Sequence, residues 1–211
     1  MPRLMDMGLE RLSNMLLDMA AISEKAVETA IESYVKGRDM REEVFQLSEE
    51  LRWYQDEVAE LAVELIARYQ PVATDLRYIR SCMEIAYGFS RFGRYAYDIT
   101  QVLGMFGNLE ECDTTLVKQV GEKVKAMIKV SVQAFKERNV ELARSLKKMD
   151  DEVDYAYVQH VKRALSNPLS SKRCDMATTL ILRYLERIAD HATYVGDSVD
   201  YIVTGERTPR K

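Results

Sequence analysis

LILRYLERIADHATYVGDSVDYIVTGE, residues 180–206, reads as one long helix closed by Gly205. Its apolar residues fall at Ile181, Leu185, Ile188, Ala192, Val195, Val199 and Ile202. Steps of three and four draw these side chains into one core-facing stripe. One position further along runs a second line: Glu186, Asp190, Thr193, Asp197 and Asp200. Glu186 and Asp190 stand four apart, so like charges sit on adjacent turns. Such a pair costs a few tenths of a kcal/mol in water and more when partly buried. A cation would remove that cost. Two readings stand side by side: a solvated acidic edge, or half of a carboxylate metal site.

The other segments repeat the pattern. Helices are expected over residues 6–36, 40–68, 71–106, 114–138 and 139–165, separated at Gly37, Pro71, the Gly107–Asn108 link, Asn139, and Asn167–Pro168. Proline suits a helix's first turn, so Pro71 opens the third helix. The set is one of three helices, twice. Shifting the third helix by 96 residues lays Phe89, Phe92, Ala96, Ile99, Leu103 and Phe106 on Leu185, Ile188, Ala192, Val195, Val199 and Ile202. It also lays Arg77 on Arg173 and Arg91 on Arg187. This is an internal duplication. Short links make neighbouring helices antiparallel. The expected fold is all-α, two tandem three-helix bundles, with residues 1–109 as the first repeat and 110–211 as the second.

Composition agrees and excludes. The 211 residues hold four prolines and nine glycines, and 47% are hydrophobic. That balance favours a helical globular chain. A net charge of −4 with no basic stripe argues against nucleic-acid binding. No apolar run approaches the ~18 residues of a membrane span, and the N-terminus lacks a secretory signal pattern. The three cysteines, Cys82, Cys112 and Cys174, form no CxxC pair and no obvious disulfide framework. The expectation is three reduced core thiols in a cytoplasmic protein. Met1, Met5, Met7, Met15 and Met19 read as core filler, or as a docking patch if exposed.

A second acidic pair lies on the fifth helix, in KKMDDEVD: Asp150 and Asp154, four apart and beside the apolar Met149, Val153 and Tyr157. Two such helices could turn Asp150, Asp154, Glu186 and Asp190 into one cleft. Oxygen donors suit iron, manganese, magnesium or calcium, and the absence of a thiolate cluster disfavours structural zinc. Arg183 and Arg187 could instead neutralise Glu186 without any metal. In the first repeat Ser90 and Arg94 occupy the positions of Glu186 and Asp190, so that half has lost the acids. His191 points about 100° away from Asp190 and reads as a packing residue. His160 reads as a surface residue. Di-iron oxidases in helix bundles need Glu-x-x-His pairs. Here Ala189 and Tyr157 stand at those positions, and no phosphate loop or nucleophile elbow appears. The chain is therefore not expected to be an enzyme. A metal-free helical scaffold, read by its surface, is the alternative.

These residues also carry a family resemblance. RYQPVATDLR (residues 68–77) is similar to the QPxAxDLR signature of the PhoU family. LERIADHATYVGDSVDYIVTG (residues 185–205) is similar to its ERIxDHAxNI signature, with Tyr194 where asparagine is usual; DDEVD (residues 150–154) is a further mark. The resemblance implies two PhoU repeats and a non-catalytic regulator that couples phosphate supply to the ATPase of the Pst phosphate importer and to a phosphate-responsive sensor kinase. It implies metal clusters, chiefly iron or zinc, on the acid-x-x-x-acid pairs. Carried over by position, the ligands are Asp150, Asp154, Glu186 and Asp190, with one site rather than two. A homodimer without membrane insertion is the expected assembly.

Overall fold

The computed structural model describes residues 4–167 and 169–207. Among these are six helices and no strand: α1 Leu4–Lys36, α2 Arg41–Tyr69, α3 Ala73–Phe106, α4 Thr115–Glu137, α5 Val140–Ser166 and α6 Lys172–Thr204. Local chemistry sets several ends. The Asn139 side chain accepts from Leu142 N–H at 3.1 Å and starts α5; Ser171 accepts from Cys174 N–H at 3.4 Å and starts α6. Gly205 ends α6 at φ +77°, a left-handed conformation that a side chain would resist.

Each trio forms a bundle, and the two bundles meet along α1–α4 and α3–α6. The helices α2 and α5 lie on opposite outer flanks. One hydrophobic core runs through both repeats. Phe89, Phe92, Ala96 and Ile99 of α3 are fully buried there, as are Leu185, Ile188, Ala192 and Val195 of α6. The duplication read from the sequence is thus the packing of the molecule. The third helices of the two repeats, α3 and α6, pack antiparallel along this seam.

The seam is closed at both ends by related arginines. At one end the Arg173 guanidinium, in the first turn of α6, donates from Nε to the carbonyl of Phe106 at 2.8 Å. At the other end its mate Arg77 lies against Gly205, the C-cap of α6. A cation at a helix C-terminus meets unpaired carbonyls and the negative end of the helix dipole. Arg173 thus ties the start of α6 to the end of α3, whereas Arg77 packs against the end of α6 with its Nε buried without a hydrogen-bond partner.

Four readings from the sequence need correction. Pro71 precedes α3 instead of opening it: Gln70 is left-handed at φ 47°, Val72 is extended, and the chain must turn between α2 and α3 before it can coil. Cys112 and Cys174 are joined in a disulfide, with Cα atoms 5.4 Å apart, while Cys82 is the buried free thiol. The 62-residue separation hid this pair. The fold returns the start of α6 to the inter-repeat link, which brings the two thiols together. His160 is buried, not on the surface. The end of α5 folds over the first turn of α6, and His160 Nε2 lies 3.3 Å from the Asp175 carbonyl oxygen. Met5, Met15 and Met19 are core, but Met7 is exposed; Met1 lies outside the described residues.

Two outcomes follow. Intact-mass analysis under non-reducing conditions should show one alkylatable thiol, and only after unfolding. Burial pushes the Cys82 thiol up to about 12, so native Cys82 should resist iodoacetamide at pH 8. Gly196→Val should destabilise by about 1–3 kcal/mol, read as a denaturant midpoint shift. A Cβ at Gly196 would stand 2.9 Å from the Ala143 carbonyl oxygen and 2.8 Å from a Leu146 methyl, forcing α5 off α6.

Candidate functional site

The acidic line of α6 divides by neighbour. Asp200 is buried and holds Arg144 of α5 through two hydrogen bonds, 2.8 and 3.3 Å. This is a structural tie between α5 and α6. Asp197 lies at the other edge, lining a cavity against α3. Thr193 turns back to the Ala189 carbonyl. Glu186 and Asp190 alone face the Asp150–Asp154 pair of α5.

These four carboxylates feel one another. Burial first, then the charges of Asp154, Asp190, Glu186 and Asp151, push the Asp150 carboxyl up to about 7. Burial and Asp190 raise Glu186 as well, against the opposing pull of Arg183. Glu186 is itself only 8% exposed. Its Oε1 accepts from Arg183 at 2.5 Å, and Asp190 Oδ2 accepts from Arg187 at 3.0 Å. Arg183 is thus the counter-ion of Glu186 that the sequence suggested, while Arg187 pairs with Asp190 instead. They leave a remainder: Asp150 Oδ1 and Glu186 Oε2 are buried without a hydrogen-bond partner. A buried, unsatisfied carboxylate oxygen is unfavourable by about 1–3 kcal/mol or more. The side chains are not gathered into a ready coordination sphere: among the described residues no three His, Cys, Asp or Glu groups stand together as an ion would need. The donor chemistry and the two orphaned oxygens nevertheless fit a hard cation.

The first repeat shows what the same backbone does without acids. Ser90 is half-buried, and Arg94 pairs with Asp98 of its own helix at 3.4 Å instead of reaching α2. Across the seam His191 packs among Tyr87, Tyr95 and Tyr194, with ring centroids 5.7, 5.7 and 6.1 Å away. Burial, and then the Arg91 charge, pull its imidazole down to about 4. It is a packing residue of the seam, as the sequence suggested, with its Nδ1 buried without a hydrogen-bond partner.

Fold and site together define an all-helical tandem-repeat protein with a carboxylate cluster in one repeat. The PhoU domain family model matches residues 16–103 and 117–199, and the chain belongs to the PhoU family. It is 32% identical to a phosphate-specific transport system accessory protein PhoU homolog of Clostridium acetobutylicum, over 97% of this chain and 96% of that one. It is 28% identical to PhoU homolog 1 of Methanothermobacter thermautotrophicus, over 94% of each. The crystal structure of PhoU from Pseudomonas aeruginosa superposes with a TM-score of 0.88 at 26% identity, covering 95% of this chain and 99% of that one. The phosphate transport system regulatory protein PhoU from Streptococcus pneumoniae shares the fold, with a TM-score of 0.89 at 20% identity, covering 98% and 100%.

The crowding sets a pH dependence. An Asp150 carboxyl raised to about 7, well above the ordinary aspartate range, favours the protonated form in the fold. Its ionisation therefore destabilises the fold as pH rises from about 4 through 7. Asp150→Asn mimics the neutral acid. In chelator-treated protein at pH 8 it should raise the melting temperature by ~2–4 °C, after discounting for partial solvent screening. The gain should shrink as pH falls towards 4. Differential scanning calorimetry at both pH values checks this.

Proposed function

We propose that this chain is a non-catalytic, cytoplasmic regulator of phosphate uptake whose second repeat carries a metal that joins α5 to α6. The carrying observation is the carboxylate cluster with its orphaned Asp150 and Glu186 oxygens, present in one repeat and replaced by Ser90 and Arg94 in the other. Asp150, Asp154, Glu186 and Asp190 would hold the ion, iron or another hard cation ahead of zinc, singly or as a cluster. When bound, it supplies positive charge that the four carboxylates lack. Arg183 and Arg187 hold Glu186 and Asp190 in place from the same helix. The buried aliphatic stripe beside them keeps α5 and α6 in register. The relatives' names, accessory and regulatory proteins of phosphate transport, support the regulatory half of this reading. The partner is then the importer's cytoplasmic ATPase, with a phosphate-responsive sensor kinase as a second, and the working unit a homodimer. No helix among the described residues is long and apolar enough to cross a membrane, which suits a protein that docks on a transporter.

Elemental analysis of the purified protein beside a Glu186→Ala, Asp190→Ala variant tests the metal. Stoichiometric metal in the parent and its loss in the folded variant is the expected result; no metal in either, with equal melting temperatures, removes the metal from the proposal. Affinity capture from cells grown in high phosphate tests the regulator. The ATPase of a phosphate importer should enrich, and its absence overturns the docking.

A further inference from the structure

The α3–α6 seam has two ends related by the 96-residue repeat, and they differ in chemistry. At one end lies a cavity of about 450 Å³, lined by Arg80, Ser81 and Glu84 of α3, Tyr194, Asp197, Ser198 and Tyr201 of α6, and Arg207 beyond it. The 96-residue shift gives the counterparts at the other end. Arg80 becomes Met176, Ser81 becomes Ala177, Glu84 becomes Leu180, Ser198 becomes Val102 and Tyr201 becomes Met105. Asp197 and Tyr194 become the polar Gln101 and Asp98. One backbone arrangement is thus built with mostly apolar side chains at one end and mostly polar ones at the other. The mate end carries Ala177 and Val102 buried in the seam and leaves Met105 and Met176 exposed, so the seam closes there without the polar set.

Two guanidiniums shape that cavity. The Arg80 and Arg207 carbons stand 5.5 and 5.9 Å from the centroid of the same Tyr201 ring. Arginine is enriched where oxyanions are bound by its planar fork. A carboxylate presents two coplanar oxygens and takes a guanidinium fork only in that plane. A tetrahedral phosphoryl group presents three oxygens and accepts forks from two directions. Two carboxylates share the wall. Glu84 accepts from the Tyr194 hydroxyl and lies 3.7 Å from Arg80, so its charge is already engaged; Asp197 is the other. Among the described residues two carboxylates face two guanidiniums, so the wall carries little net charge, which disfavours a highly charged polyphosphate. Size allows more than the bare ion, since 300–1,000 Å³ is the range of small-molecule sites.

We infer that this end of the seam binds one phosphoryl group, of inorganic phosphate or of a small phosphomonoester, between Arg80 and Arg207, with the rim of Tyr201 beside it. The site is separate from the α5–α6 carboxylates and stands whether or not they hold metal. The test is isothermal titration of chelator-treated full-length protein, which removes metal-borne phosphate binding. The probes are inorganic phosphate, glycerol 3-phosphate, pyrophosphate and acetate. Binding of phosphate and glycerol 3-phosphate identifies the free ion as a ligand; binding of glycerol 3-phosphate alone identifies a phosphomonoester. Arg80→Gln and Arg207→Gln should each weaken that binding about tenfold, the loss of one charge-assisted contact. Arg207 is exposed beyond α6, so its variant should fold even if Arg80→Gln does not. Absence of binding, binding unchanged in Arg207→Gln, or acetate or pyrophosphate binding as tightly as phosphate, would overturn the inference.

Discussion

The close approach of α3 and α6 is the constraint on which the molecule rests. Antiparallel helices come this near only where side chains are small. A Cβ at Gly88 would meet a Val195 methyl at 2.8 Å. Gly93 lies as tightly on Leu51 of α2, and Gly196 on Leu146 and Ala143 of α5. With the backbones so placed, the rotation of each helix follows. Phe89 and Leu185 turn inward, Glu186 and Asp190 turn towards α5, and Asp197 and Tyr201 turn towards α3. The arginines at the two ends lengthen the seam without altering it. The disulfide adds a covalent tie at the Arg173 end.

A duplicated fold offers its own control experiment. Both copies keep the apolar stripe, because losing a buried methylene costs about 1 kcal/mol and opens a cavity. The edges beside the stripe face partial solvent and are free to diverge. They did so twice: at the outer edges, Ser90 and Arg94 against Glu186 and Asp190; and at the seam's ends, Met105 and Met176 against Tyr201 and Arg80. Where one copy shows that the fold needs nothing special, the special chemistry of the other copy points to binding.

The carboxylate cluster shows the strain that such chemistry brings. Burial raises the Asp150 and Glu186 carboxyls, and their neighbours raise them further. Arg183 and Arg187 relieve part of this, from outside and from the same helix. Asp200 makes two hydrogen bonds to Arg144 of α5 and so works as a brace. Acids of one line on one helix thus end in different roles, set by what the neighbouring helix presents. Buried polar groups that conflict with local stability are a common mark of functional sites.

The helices, their order, the duplication and the apolar stripe were legible in the sequence. Each follows from spacing along one helix or from a shift between two. So were the acid pairs, since four-residue spacing places two carboxylates on one edge, and so was the packing role of His191. Other features depend on contacts between segments far apart in the chain. Cys112 meets Cys174 only because α6 returns to the inter-repeat link. His160 is buried only because α5 ends over α6. The Arg80–Arg207–Tyr201 cavity exists only where the end of α6 meets the start of α3. Sequence periodicity determines which face of a helix is apolar, because one helix has one repeat. Only tertiary packing decides which polar residues face one another, because that depends on the angle, distance and direction at which two helices cross.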